Sequence, residues 1–258
     1  MDRDEIIALY TRDQRVDVVY PTVRREVAGK IVRLVHTQTG GEGAVIYSRL
    51  DEAEVEAAIR EQIDYFEGLG QDFEWKVYDY DTPPDLKDRL AAHGFELEDP
   101  DAIMVLDLQE APESLFQPNS PAVRRINDPA DIGDVMSVEE AVWGEDFAHL
   151  AHNLAWTLTH HPEQLSLYVA YLDGAPVSAG WVFFPSGSQF ASLWGGSTLS
   201  EYRGRGLYTA LLAARARETR GRGRRYLTVD ASPVSRPILE KFGFQMIAWA
   251  WACNWKIK

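Results

Sequence analysis

The residues best suited to chemistry lie in one run, SEYRGRGLYTALL at positions 200–212. A strand rich in small residues, LWGGST at 193–198, leads into Gly204 and Gly206, and a helical pattern follows at once. Glycine lets a backbone approach a ligand closely and turn consecutive N–H groups toward one point. The start of a helix adds N–H groups that lack intrahelical partners, together with the positive end of the helix dipole. Arg203 and Arg205 supply charge and forked donors that match phosphate oxygens. The chemistry implied is the cradling of a phosphate-bearing ligand. Two other phosphate loops do not fit. The GxxxxGK[ST] loop needs a lysine and a hydroxyl residue that are missing from the required places. The GxGxxG fingerprint fails because Thr209 stands where its third glycine belongs.

Metal chemistry has less support. Asp146, His149 and His152 share one helix face in a D-x-x-H-x-x-H spacing, but no fourth ligand accompanies them, so no metal is expected. His160 and His161 suit the end of a helix, where the dipole favours a cation. Cys253 reads as a small buried hydrophobe in a terminal strand.

The elements that must position the loop follow from hydrophobic patterning. In the first half, 30–37 and 44–50 read as strands joined by the turn TGGEG, and Asp51 caps a helix running to about Phe66. Residues 73–80 read as a strand, 84–93 as a short helix stopped by Gly94, and 102–108 as another strand. A break at 110–121, EAPESLFQPNSP, carries three prolines and little periodicity. Beyond it, helices are predicted at 132–141 and 147–159, and strands at 166–172, 177–184 and 190–195. The glycine loop, a helix over 207–219, a strand at 225–230, a helix at 237–242 and a closing strand complete the chain. This order predicts mixed α/β structure with helices covering the sheet. The halves also echo each other. RLAAHGF at 89–95 resembles ILEKFGF at 238–244, and each follows a strand containing aspartate, VYDYD or LTVDA. We read this as duplication of one design.

The 258 residues suffice for two domains of ordinary size, and 45% apolar with 26% charged residues suits a protein with a sizeable core. A net charge of −14 argues against generic binding to nucleic acid or an anionic membrane. The charge is uneven. Residues 203–225 hold eight arginines against Glu218 alone, so this stretch carries +7 and the remainder −21. Such a run is either a solvated helix face or a local polyanion site, and its place beside the glycine loop gives the second reading its first two arginines. One cysteine excludes an internal disulfide. The acidic start MDRDEIIALY lacks the pattern of a signal peptide, and the longest apolar runs are strand-sized. A cytoplasmic location and no membrane partner are expected.

In this order and spacing the second half resembles the GNAT superfamily of N-acetyltransferases. Their pyrophosphate loop, (Gln/Arg)-x-x-Gly-x-(Gly/Ala), is matched by Arg203, by Gly206 and, imperfectly, by Tyr208. The later segment ASPVSRPILEKFGF, with Gly243-Phe244 ending the last helix, resembles the second half of that fold. The resemblance spans roughly 122–258. It implies an α/β fold of two tandem GNAT-like domains, residues 1–118 and 122–258, with a splayed central sheet and helices on both faces. The first would be a degenerate copy, because SRLDEAEVEAAI stands where its loop should be. The second would bind acetyl-CoA through Gly196, Ser197, Thr198, Arg203, Gly204, Arg205, Gly206, Leu207, Tyr208, Thr209, Ser232 and Ser235. The backbone of 196–198 would pair with the pantetheine arm like an added strand.

The activity implied is transfer of an acetyl group to the amine of a small molecule. Three positions depart from the family. Leu239 replaces the tyrosine that protonates the leaving thiolate, Ser232 replaces an asparagine, and the glutamate of the strand before the loop is replaced near Trp194. Asp230 and Glu145 are the candidates for proton transfer, although Asp230 equally suits a turn cap and Glu145 a solvated helix start. Tyr208 offers a hydroxyl near the cofactor. Trp143, Trp181 and Trp194 suit either a core or the wall of an acceptor pocket. Without the usual tyrosine, a non-catalytic acyl-CoA-binding or sensing module is the alternative. Oligomeric state and acceptor identity are left open by these residues.

Overall fold

The computed structural model describes residues 2–37, 41–117, 120 and 122–257. By packing it divides into two units. One comprises Met1–Met104, Asp230–Arg236 and Met246–Lys258, the other Val105–Val229 and Pro237–Gln245. The chain's last strand therefore packs within the first unit, a division that differs from a cut between 118 and 122.

The first unit opens on α1 (Arg3–Tyr10), whose N-cap Asp2 accepts from the N–H groups of Asp4 and Glu5. A π-helical turn at Thr11–Val16 follows. Then come β1 (Val23–Ala28), β2 (Ile31–His36) and β3 (Gly43–Ser48), an antiparallel meander. The turn predicted at 39–43 begins outside the described residues. Next are α2 (Val55–Leu69), β4 (Phe73–Tyr78) parallel to β3, α3 (Leu86–Ala92), the two-residue β5 (Glu96–Leu97) and β6 (Asp101–Asp107). Asp51 accepts from the N–H groups of Ala53 and Glu54, so the predicted cap holds a turn that precedes α2. Lys30 pairs with both Asp51 and Glu54. The place that corresponds to an anion loop is thus filled by the chain's own carboxylates.

The second unit repeats the same succession at greater length. It runs through α4 (Glu113–Phe116), β7 (Val123–Ile126), α5 (Ile132–Trp143), α6 (Ala148–His160), β8 (Leu165–Leu172), β9 (Ala175–Phe183), β10 (Phe190–Thr198), α7 (Leu207–Gly221) and β11 (Tyr226–Ala231). Then α8 (Arg236–Glu240) leads to β12 (Gln245–Trp255). Strands β7 to β10 pair antiparallel in sequence order, and β11 joins β10 in parallel. Both halves contain three consecutive antiparallel strands, β1–β3 or β8–β10, followed by a helix, a parallel strand, a short helix and a later strand; the second half adds β7, α5 and α6 before them. That shared plan is the duplication read from RLAAHGF and ILEKFGF. β12 pairs antiparallel with β4, which is why the chain's end belongs to the first unit.

Strand periodicity places the helices of the second unit. Leu165, Leu167 and Val169 of β8 pack with α5 and α6, whereas Ser166 and Tyr168 bond Glu218 of α7 and Ala170 packs with Leu207. Helices thus cover both faces of a mixed sheet. The first unit's core gathers Val45, Ile59, Phe66, Phe73, Trp75, Leu86 and Leu90, with Phe66 and Phe73 stacked at 4.4 Å. Cys253 lies in this core, and burial pushes its thiol up to about 12. A thiol-specific reagent at pH 8 is therefore expected to label the native protein at a small fraction of the rate seen after denaturation. Equal rates would place Cys253 at the surface.

Candidate functional site

β10 and α7 build the site. β10 stays paired with β9 as far as Thr198, but its parallel pairing with β11 covers only Phe190–Ser192. From residue 193 onward one edge of β10 is open, as the resemblance implies for a splayed sheet. A bulge sits at the opening, with the register shifting between Gly195 and Ser197. Gly195 and Gly196 both adopt positive φ, 63° and 93°. A Cβ on Gly195 would meet the Trp181 ring at 2.5 Å, so the close approach there requires glycine.

The loop then ends as an anion cradle should. Gly206 is the N-cap of α7 with φ of 77°, and no side chain caps the helix. A Cβ on Gly204 or Gly206 would have no neighbour within 4 Å, so the backbone faces open space on that side. Arg203 and Arg205 are exposed. Arg203 Nε donates to the Thr198 carbonyl at 3.1 Å, and the Arg205 guanidinium lies 5.2 Å from the Tyr202 ring. Leu207 is buried against Ala170 and Val177, so only its backbone can serve a ligand. Tyr208 is half-buried, its ring packed beside Gly196. Burial raises the Tyr208 pKa against the opposing charge of Arg215, which keeps the hydroxyl protonated.

The rest of the arginine run is used internally. Arg215 is buried and donates to the Trp181 and Trp194 carbonyls at 3.3 and 3.2 Å. Arg222 pairs with Glu218 and Arg225 with Asp107, while Arg217 donates to the Phe116 carbonyl. Arg224 donates to the Ser188 carbonyl, and Arg220 lies over the Phe116 ring. A helix face turned to solvent was the expectation for most of these residues. Arg220 and Arg225 do face solvent, whereas Arg215 is buried and Arg217, Arg222 and Arg224 are half-buried; all six are tied to carboxylates, carbonyls or rings.

One group went unnoticed in the sequence. Glu139, on α5, is only 3% exposed. Its Oε2 accepts from Ser197 Oγ at 2.8 Å and from Trp143 Nε1 at 3.1 Å. Trp143 Nε1 also donates to Ser197 Oγ at 3.0 Å, closing a small ring of bonds. Glu139 Oε1 has no hydrogen-bond partner and faces the bulge, 3.2 Å from where a Cβ of residue 195 would stand. Burial raises the Glu139 pKa, and the bonds from Ser197 and Trp143 with the charge of Arg215 offset this only in part. Its helical pattern gave no signal, because VEEAVW places two adjacent glutamates and only the fold decides which turns inward.

The other predicted residues have partners or exposure of their own. Asp230, Ser232 and Ser235 belong to the first unit by packing. Asp230 pairs with Lys76, whose ammonium is held above its usual pKa because Asp230 and Glu74 outweigh the effect of burial. Ser232 and Ser235 bond each other within the turn before α8. Glu145 is exposed just after α5. Trp181 is core, whereas Trp143 and Trp194 are 62% and 46% exposed. Among the described residues no group of three His, Cys, Asp or Glu side chains could hold a metal ion. No helix among them is long and apolar enough to cross a membrane.

Comparison with known proteins agrees with this geometry. Residues 132–244 match the profile of the acetyltransferase (GNAT) family. No curated protein matches the chain. Among solved structures, a GCN5-related N-acetyltransferase from Kribbella flavida superposes with a TM-score of 0.68 at 15% identity, covering 99% of this chain and 95% of that one. A conserved protein of unknown function from Staphylococcus epidermidis gives 0.66 at 11% identity, covering 92% and 95%. A tandem GNAT protein from the clavulanic acid biosynthesis pathway gives 0.60 at 14% identity, covering 94% and 86%. At such identities these structures share the fold alone, and the family rests on the profile and on the loop that lies within it. The family match thus covers residues 132–244, the part of the chain that holds the glycine loop.

Proposed function

We propose that this protein is an acetyl-CoA-dependent N-acetyltransferase acting on a small-molecule amine. In this reading residues 122–258 are the cofactor-binding copy of the repeat and 1–118 a degenerate one. The observation that carries the reading is the uncapped N-terminus of α7, opened by Gly206, at the end of a strand whose edge is free from residue 193. Acetyl-CoA would supply an activated thioester. The N–H groups at the start of α7 suit its pyrophosphate, with Arg203 and Arg205 beside it, and the free edge over 196–198 suits an extended amide-bearing arm. Tyr208, kept protonated by burial, is an O–H donor next to that edge. The internal commitments of the remaining arginines, with the acidic balance of the chain, speak against a nucleic-acid partner and for a cationic acceptor.

One observation favours the alternative of an acyl-CoA sensor. Leu239, at the position where the family resemblance puts the acid tyrosine, is fully buried and offers no hydroxyl. The two readings part in a thiol-release assay with acetyl-CoA and a panel of primary amines. Amine-dependent release of coenzyme A is the expected result. Tight acetyl-CoA binding without release for any amine would support the sensor.

A further inference from the structure

We propose that Glu139 receives the ammonium group of the acceptor and takes a proton from it. This rests on the reading above that the second unit transfers acyl groups to amines. Three features point to Glu139. It is a carboxyl group 97% removed from solvent, yet only one of its oxygens is satisfied. A buried carboxylate oxygen without a donor costs stability, so its retention calls for a ligand that brings one. The free oxygen faces the glycine bulge where the edge of β10 opens. Finally, the indole of Trp143, which anchors the other oxygen, is itself largely exposed and offers an aromatic face to a cation. The substrate class is therefore a primary amine, positively charged in solution, on a partly apolar body.

The groups facing Glu139 set its state. Trp143 comes from its own helix, Ser197 from β10, and the charge of Arg215 acts from α7. The bonds from Trp143 and Ser197 fix the carboxyl in place. Burial meanwhile leaves it a better base than an exposed glutamate. In the transfer, the ammonium gives one proton to Glu139 Oε1, and the freed lone pair forms the N–C bond while the C–S bond breaks. The second nitrogen proton ends on the departing sulfur, and Glu139 returns its own to solvent. Asp230 is engaged by Lys76 and Glu145 lies exposed, so neither offers a comparable buried, half-satisfied oxygen.

The test uses 2-phenylethylamine as probe, with the wild type and Glu139→Gln. Calorimetry without acetyl-CoA at pH 8 is expected to show binding to the wild type that weakens at least ~10-fold in the variant, the loss of one charged partner. With acetyl-CoA present, kcat/KM for the amine is expected to fall by ~100-fold or more, the usual weight of a general base. In the wild type kcat/KM should rise with pH through the raised pKa of Glu139, because the ionised form is the base, and the variant should lose that limb. Acetyl-CoA affinity, expected to change less than ~3-fold since Gln keeps the shape, serves as the folding control. Equal amine binding by both proteins, no binding by the wild type, or an unchanged pH limb would each overturn the assignment. Failure of acetyl-CoA to bind the wild type would instead sink the acyltransferase reading, because amine binding is measured without it.

Discussion

Gly206→Glu is expected to abolish acetyl-CoA binding while leaving the protein folded. Residue 206 caps α7 with φ of 77°, a conformation in which a side chain costs about 1 kcal/mol. Nothing lies within 4 Å of the Cβ that the substitution adds, so no packing is lost. A carboxylate at a helix start is favourable to the helix, and that is why it is decisive here. It supplies the negative charge that the open N–H groups would otherwise offer to pyrophosphate, and it repels the ligand. The readout is thermal stability with and without acetyl-CoA. At a hundredfold excess over Kd, ligand stabilises a protein by about 2.7 kcal/mol. The wild type should show a Tm increase of that origin and the variant none. An equal increase in both would remove the loop from the site.

The second large effect concerns stability in the first unit. Arg15 is 1% exposed and meets Asp81 through two bonds of 2.8 and 2.7 Å, while its Nε donates to the Ile46 carbonyl. Its guanidinium also lies 3.8 Å from the centre of the Tyr78 ring. Arg15→Met leaves Asp81 buried with no counter-charge, and removing one partner of a buried pair costs about 3–5 kcal/mol. Arg15→Met combined with Asp81→Asn removes the stranded charge and keeps an acceptor for the Tyr78 N–H, so it should recover most of the loss. Denaturant unfolding of the three proteins measures both numbers. A single-variant loss below about 1 kcal/mol, the level of a surface pair, would contradict this account.

The periodic elements of this chain were legible because burial imposes a pattern on them. The α2 helix carries Val55, Ile59, Ile63 and Phe66 on one buried face, and β2 is a short run buried from Ile31 to Val35. What escaped notice was short or anchored by distant partners. The α1 helix buries only Ile6 and Tyr10, and β1 has no fully buried residue. Residues 113–116 looked like linker, yet Leu115 and Phe116 are buried in the second unit. Likewise the glycine loop could be read directly, because φ above zero and an open helix start leave marks in sequence. Glu139 could not, since its meaning comes from Ser197, 58 residues later, and from a bulge that no local pattern announces. The arginine run shows the converse. Its charge was obvious, but its use lay in Asp107, Glu218 and backbone carbonyls brought near by folding.

The most direct test of the central claim is calorimetric titration of the unmodified protein with acetyl-CoA. Binding at one site per chain with a dissociation constant in the micromolar range is the result this structure predicts. No heat of binding with acetyl-CoA at millimolar concentration would contradict it, and would leave a GNAT fold whose glycine loop serves some other purpose.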